Sequence, residues 1–310
     1  DYTAPIYHHS DEFLVFNLPL NPLTINNNNN NNYNPFTDLT NDVYFEPVLK
    51  GRQGTVLLHP HPTRGNPIVR TTTKYTTPAQ PFLPPHLRLC QAIEEAGSLP
   101  CKLNNALVEI YNNQYATMGY HSDQAQDLLD GSHVAVFSCY KDPERAKQGA
   151  KPPRKLVVEL KEREEGKEKE KEKGKKGGED GEVFEIPMGH NSVIFFSMET
   201  NRRFKHKIVL AQETKPKENE WLGFTLRTSG TYIKVEKEKE KAFFEDGREL
   251  RVAANNEAQN LYKLRGRENK EVDFVYPDLD YTLSVSDTME VKKWEGEEGE
   301  KEKEKGKEKE

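Results

Sequence analysis

The sequence predicts a mainly β protein with flanking helices, its strands folded into a sandwich or double-sheet roll. Two observations carry that prediction. A series of short apolar runs separated by turn residues reads as strands, and a single clear 3.6-residue stripe lies at Pro84 to Ala96. Long polar tracts account for much of the remaining length. They are Asn26 to Asn32, a Lys/Glu run from Lys161 to Glu182, and a Lys/Glu tail from Glu295 to Glu310. None of them can bury enough apolar surface to offset chain entropy.

Taken in order, residues 1–44 are rich in Asn and Pro, lack a sustained period, and are expected to be disordered. The folded domain is expected over 45–235. Thr55 to Leu58 and the β-branched stretch Pro67 to Lys74 (PIVRTTTK) read as strands. In PPHLRLCQAIEEA, Leu87, Cys90 and Ile93 share one stripe, so a helix opened by proline is expected to end before Gly97. Strands are then expected at Ala106 to Tyr111, His133 to Tyr140, Leu156 to Leu160, Val183 to Ile186, Ser192 to Ser197, His206 to Leu210 and Leu222 to Leu226. The Lys/Glu run at 161–182 separates two of these strands and reads as an expanded, disordered hairpin loop, because surface loops tolerate insertion at small entropic cost. Residues 236–290 form an expected extension, with a helix at Ala253 to Arg265 and strands at Val272 to Tyr276 and Tyr281 to Val285. The tail at 291–310 is expected to be disordered.

Net charge is −6 over 310 residues, but the inner run holds 8 basic and 9 acidic residues and the tail 5 and 8, which leaves −2 for the remainder. A nearly neutral domain gives no reason to expect tight nonspecific nucleic-acid binding. Cys90, Cys101 and Cys139 are widely spaced and form neither a CxxC pair nor a disulfide framework, which fits a reducing compartment, the cytoplasm or nucleus. No apolar stretch approaches the roughly 20 residues that span a bilayer. The chain opens on Asp1 and stops inside a repetitive tail, as a piece of a longer protein would.

The chemistry centres on Tyr120-His121-Ser122-Asp123. In an extended segment alternate residues share a face, so His121 and Asp123 present an imidazole and a carboxylate side by side. Alone, the triplet fits a surface turn. A third ligand type, His206, begins a later strand, and two histidines with one carboxylate make the facial triad of non-haem Fe(II) oxygenases. Zinc or another divalent ion suits the same ligands, since affinity order does not choose iron. Downstream, alternation in WLGFTLR places Gly223, Thr225 and Arg227 on one face with Ser229 beyond. An arginine fork with a neighbouring hydroxyl is an anion clamp, suited to the distal carboxylate of 2-oxoglutarate. His59-Pro60-His61 is bounded by proline, has no third ligand nearby, and reads as a loop.

From Pro67 to Lys234 the chain resembles the AlkB-like branch of the Fe(II)/2-oxoglutarate dioxygenases. The resemblance is carried by NNALVEIY (Asn104 to Tyr111), MGYHSD (Met118 to Asp123), HVAVFSCY, NSVIFFSMETNRRFKH (Asn191 to His206) and LGFTLRTS (Leu222 to Ser229), in that order and spacing. It implies a double-stranded β-helix (jelly-roll) core, Fe(II), 2-oxoglutarate and dioxygen as cofactor and co-substrates, and conversion of 2-oxoglutarate to succinate. It also implies that Tyr111 hydrogen-bonds 2-oxoglutarate and that Arg227 is the terminal arginine. Two positions depart from the AlkB pattern: Glu109 replaces an asparagine, and Trp221 replaces an arginine. Substrates implied by the resemblance are alkylated bases of DNA or RNA. Thr71 to Thr77 (TTTKYTT) falls where the family carries part of its base-recognition lid, so Lys74 and Tyr75 are candidates for phosphate contact and stacking. Two alternatives stand beside demethylation of nucleic acid. One is hydroxylation of a protein or small molecule by the same centre, and the other is a noncatalytic binding module with the same fold.

Overall fold

The computed structural model describes residues 7–9, 11–20, 34–147, 151–161, 183–211 and 218–292. In chain order the strands are β1 (Tyr7–His9), β2 (Phe13–Asn17), β3 (Glu46–Leu49), β4 (Arg52–Leu58), β5 (Asn66–Pro67), β6 (Gln80–Pro81) and β7 (Asn105–Tyr111). They continue with β8 (His133–Tyr140), β9 (Arg154–Leu160), β10 (Val183–Pro187), β11 (Ser192–Ser197), β12 (Phe204–Leu210) and β13 (Trp221–Arg227). The last four are β14 (Tyr232–Glu236), β15 (Lys241–Phe244), β16 (Glu249–Val252) and β17 (Tyr281–Thr282). A large sheet runs β1-β2-β11-β8-β13-β7-β4-β3, with β6 also on β4; a three-stranded sheet runs β10-β9-β12; a third runs β17-β16-β15-β14-β5.

Alternation explains how the layers stack. In β8, Ala135, Phe137 and Cys139 pack on the helix Pro84–Gly97 through Leu89, Cys90 and Ile93, whereas Val134, Val136 and Tyr140 point into the roll. Because β8 and β11 are covered on both faces, they read in the sequence as continuous apolar runs. The inner faces of β7, β8, β11 and β13 meet Leu156, Val158, Ile186, Phe204 and Ile208 of the smaller sheet, and that shared core closes the jelly roll.

Several expectations are corrected. Within 1–44, β2 pairs with β11 and buries Phe13, Val15 and Phe16, while the short helix Pro35–Thr40 buries Phe36 and Leu39. Each fully buried side chain of this kind contributes roughly 1.5–3 kcal/mol, so these stretches dock although they are flanked by polar sequence. Pro67 to Lys74 is a strand only at its first residue. Beyond it, Arg70 N bonds Asp127 Oδ2 (2.7 Å) and Thr72 N bonds Gln124 Oε1 (3.1 Å), so side chains satisfy amides that a ladder would otherwise take. Val272 to Tyr276 is irregular, and only Tyr281–Thr282 of the last expected strand pairs. The expected helix is displaced slightly, to Asn255–Glu268. The hairpin of β15 and β16 was not expected, although Asp246-Gly247 at its turn is a standard hairpin signal. Strands β9 and β10 pair as the hairpin reading requires, while the inserted run from 162 to 182 and the tail from 293 lie outside the described residues. The three cysteines are free, and His61 sits in a turn accepting from the amides of Thr63 and Arg64. No helix among the described residues is long and apolar enough to cross a membrane.

Candidate active site

Strand β12 alternates strictly, sending Phe204, His206 and Ile208 into the roll and Lys205 and Lys207 outward. The segment 121–124 runs extended beside it. His121 and His206 exchange backbone hydrogen bonds of 2.9 and 2.7 Å, which sets their rings 4.7 Å apart. Asn201, from the helix Met198–Arg203, grips the backbone of Asp123 on both sides: its Oδ1 accepts from Asp123 N at 2.8 Å and its Nδ2 donates to Asp123 O at 2.7 Å. Ser122, between the two, turns away and donates to Phe204 O. The result is that Asp123 Oδ2 lies 3.5 Å from His206 Nε2.

These side chains line a cavity of about 290 Å³, together with Arg52, Thr71, Thr72, Thr73, Glu109, Tyr115, Gln124, Thr225, Arg227 and Asn269. Burial, reinforced by His121 and Lys161, pushes the His206 imidazole well below its ordinary value, so it is a neutral donor. Burial also pushes the Asp123 carboxyl up, although Arg227 and His121 pull against it. A divalent cation would reverse that preference. Among the described residues no three His, Cys, Asp or Glu side chains stand at closed metal-holding geometry. Nδ1 of His121 is turned to the Gly119 carbonyl at 3.1 Å, leaving Nε2 as its other nitrogen. The donor set nevertheless fits a metal: two imidazoles and a carboxylate converge, and Asp123 Oδ2 is buried without a hydrogen-bonding partner.

Arg227 ends β13 on the same inner face. It is 3% exposed, with Nη1 3.7 Å from Asp123 Oδ1 and Nη2 3.4 Å from Asn105 Oδ1, and its Nε has no partner. A buried guanidinium so loosely held has donors to spare for an anion. The neighbouring expectations fare differently. Ser229 Oγ is engaged with the carbonyls of Ile68 and Thr231 and does not line the cavity. Tyr111, opposite Trp221 in the ladder, gives its hydroxyl to Glu109 and stacks on Trp221 with centroids 4.9 Å apart. Gly223 is required there, because a Cβ would stand 2.0 Å from the Trp221 ring. Lys74 is exposed beside the cavity-lining threonines. Tyr75 is 2% exposed, so it cannot stack on a ligand at the surface; its unpartnered hydroxyl is within electrostatic reach of Glu109, Arg52 and Arg227.

Sequence reasoning missed Arg52, Asn201 and Asn269. Arg52 Nε donates to Glu109 Oε1 at 2.7 Å and neutralises the carboxylate that replaces the family's asparagine. It precedes the stretch that carries the resemblance, and a lone strand arginine gives no signal. Asn201 lies inside a quoted motif, where only its fixed spacing from His206 hinted at a role. A larger hollow of about 450 Å³, lined by Lys161, Asn201, Glu268 and Tyr276, lies beyond the end of the C-terminal helix. It contains none of His121, Asp123 and His206, so the smaller cavity is the candidate site.

Among solved structures, one titled "The structure of OsALKBH1" aligns with 57% of this chain and 78% of its own, at 12% identity and a TM-score of 0.34. No curated protein matches. The profile of the 2OG-Fe(II) oxygenase superfamily matches residues 46–231, from β3 to the segment just past Arg227. With that match covering more than half its length, the chain belongs to the 2OG-Fe(II) oxygenase superfamily and is a dioxygenase using Fe(II), 2-oxoglutarate and dioxygen.

Proposed function

We propose that the chain is an AlkB-like dioxygenase that oxidatively demethylates an alkylated nucleic-acid base, with His121, Asp123 and His206 holding Fe(II). The observation that carries the metal assignment is the approach of His206 Nε2 to the unpartnered Asp123 Oδ2, 3.5 Å, beside the paired backbones of His121 and His206. Bound there, the metal would supply activation of dioxygen coupled to decarboxylation of 2-oxoglutarate. The chain's own residues bind and orient. Arg227 takes a carboxylate of 2-oxoglutarate with its spare donors, and burial of the site strengthens that attraction by excluding water. Tyr75, close to Arg227 and without a partner, is the hydroxyl best suited to add a hydrogen bond, because that of Tyr111 is committed to Glu109.

The substrate reading rests on the AlkB-like motifs and on the polar rim. Thr71, Thr72, Thr73, Gln124 and Asn269 offer donors and acceptors suited to a base edge, and Tyr115 is the aromatic ring in the cavity wall, taking the stacking place first expected of Tyr75. Lys74, exposed next to that rim, suits a phosphate contact. An N-methyl group hydroxylated in this site would be released as formaldehyde. A reducing compartment, cytoplasm or nucleus, accords with three free cysteines.

Succinate formation by the purified chain with Fe(II) tests the reading, measured alone and with methylated single-stranded DNA, methylated RNA or a protein extract. Stimulation by methylated oligonucleotide, with formaldehyde released in step, is the expected result. Stimulation by protein alone would move the substrate to a side chain. Loss of metal binding in His121→Ala and His206→Ala, but not in Lys205→Ala, checks the ligand assignment.

A further inference from the structure

The segment that carries His121 and Asp123 is held from outside the region matched by the family profile, which ends at residue 231. The C-terminal helix Asn255–Glu268 ends against it. Asn269, the residue that caps this helix, accepts from the amide of Ser122 at 2.9 Å, between the two proposed ligands. Glu268 accepts from the amide of Ala125 at 2.8 Å. Arg265, one turn earlier, donates to Arg70 O at 2.7 Å and so ties the lid segment to the same helix. Lys161, at the edge of the inserted run, donates to the Glu268 carbonyl at 2.7 Å and reaches toward Asn201 O at 3.5 Å.

The bonds from Asn269 and Glu268 each satisfy a main-chain amide in a stretch that has little ladder of its own, while Arg265 and Lys161 donate to main-chain carbonyls around it. Beyond the His121 bridge to His206, residues 122–124 belong to no strand. Asn201 grips Asp123 from one side, and the helix end grips Ser122 and Ala125 from the other. The proposed ligand loop is therefore over-determined, which is what a metal site needs when its ligands must be held within a few tenths of an ångström.

We infer that Asn269, with Glu268, is a positioning residue for the metal site, so that the C-terminal extension is a working part of the active centre rather than an appended unit. This rests on the proposed assignment of His121 and Asp123 as ligands. The extension also walls the substrate cavity through Arg265 and Asn269, which couples the lid at Thr71 to Thr73 to the ligand loop through one helix end.

The test is Mn(II) binding to the full chain, followed by the free-ion electron paramagnetic resonance signal and paired with thermal unfolding. Asn269→Ala is expected to weaken Mn(II) binding by about tenfold to a hundredfold, as loss of a supporting partner does elsewhere, with the chain still folded. Asn269→Asp keeps the accepting oxygen and is expected to bind nearly as the parent does. If Asn269→Ala does not fold, Asn269→Ser, polar but too short to reach the amide, is expected to give the same loss. Equal Mn(II) affinity in Asn269→Ala or Asn269→Ser and the parent, or equal loss in Asn269→Asp and Asn269→Ala, overturns the inference while leaving the ligand assignment standing. A parent chain that binds no Mn(II), or binds it as well after Asp123→Ala, overturns both.

Discussion

Replacing Arg52 by Met removes a charge but keeps an apolar stem of similar reach, and it isolates the departure at Glu109. In the folded chain the two side chains are 11% and 9% exposed, and the guanidinium contacts Glu109 Oε1 through both Nε and Nη2. Burial works against the charge on Arg52, yet Glu109 and the nearby phenols hold its proton more tightly than usual. Breaking a buried pair by removing one partner costs about 3–5 kcal/mol, most of it the carboxylate left behind. Partial exposure puts this pair near the lower end, about 3 kcal/mol. The stranded charge also faces the cavity where a dianion is proposed to bind. At an effective dielectric constant of about 20, a carboxylate on the order of 10 Å from another anion costs roughly 1.7 kcal/mol, a loss of ten- to twentyfold in affinity.

Urea unfolding and equilibrium binding of 2-oxoglutarate read the two effects separately. Adding Glu109→Gln to Arg52→Met removes the stranded charge and is expected to restore most of the stability and the affinity. A coupling of about 2 kcal/mol from the double-mutant cycle is the anticipated size. Losses that simply add, with the double variant as poor as the sum of the singles, would refute the view that Arg52 serves to neutralise Glu109.

Arg227→Met is expected to weaken 2-oxoglutarate binding by tenfold to a hundredfold, since a charge-assisted hydrogen bond is worth about 1.5–3 kcal/mol; calorimetric titration with 2-oxoglutarate checks it. Gly223→Ala forces a Cβ to 2.0 Å from the buried Trp221 ring, which also packs against Tyr111, so a loss of about 1–3 kcal/mol is expected in denaturant unfolding. His86 is pushed down to about 4 by burial, and both its nitrogens are committed, Nδ1 accepting from Leu83 N and Nε2 donating to Leu39 O. Between pH 6.5 and 4 the unfolded chain therefore binds a proton that the folded chain refuses, so stability falls as pH drops through that window, by about 3 kcal/mol in all. His86→Gln keeps one donor and one acceptor without the titration, and its unfolding free energy is expected to fall less over the same range.

The strands were legible where burial on two faces leaves no choice of residue. HVAVFSCY and SVIFFS announce themselves because each side chain meets either the helix layer or the roll. His206 was legible for a related reason: β12 alternates charge and apolar residues, and the histidine falls on the apolar face. Pro67 to Lys74 misled because β-propensity measures fit to a pleated surface, whereas Asp127 and Gln124 offered this segment's amides other partners. The docking of Phe13 was hidden because five-residue strands beside Asn tracts carry little periodic signal. Asn269 and Arg52 could not be found from the sequence at all, since each matters through one contact made far away along the chain.

The two departures from the AlkB pattern are parts of one rearrangement. Trp221 and Tyr111 face each other across the β13–β7 ladder, and their stacked rings fill the inner wall at that level. Arg154, from β9 on the facing sheet, lies over both, 5.2 Å from the Tyr111 centroid and 5.8 Å from that of Trp221, with its donors on the carbonyls of Tyr115 and Asn112. A cation thus stands near the position of the missing arginine, but it is spent on backbone and ring faces and does not line the cavity. Glu109, one step along β7 on the same inner face, turns the Tyr111 hydroxyl away and takes Arg52 as its counter-charge. The wall that the AlkB pattern makes polar has become aromatic, which leaves Arg227 and Arg265 as the buried, cavity-lining arginines with unpartnered donors; of the two, Arg227 stands beside Asp123, and this places the proposed recognition of an anionic co-substrate at the Arg227 end of β13.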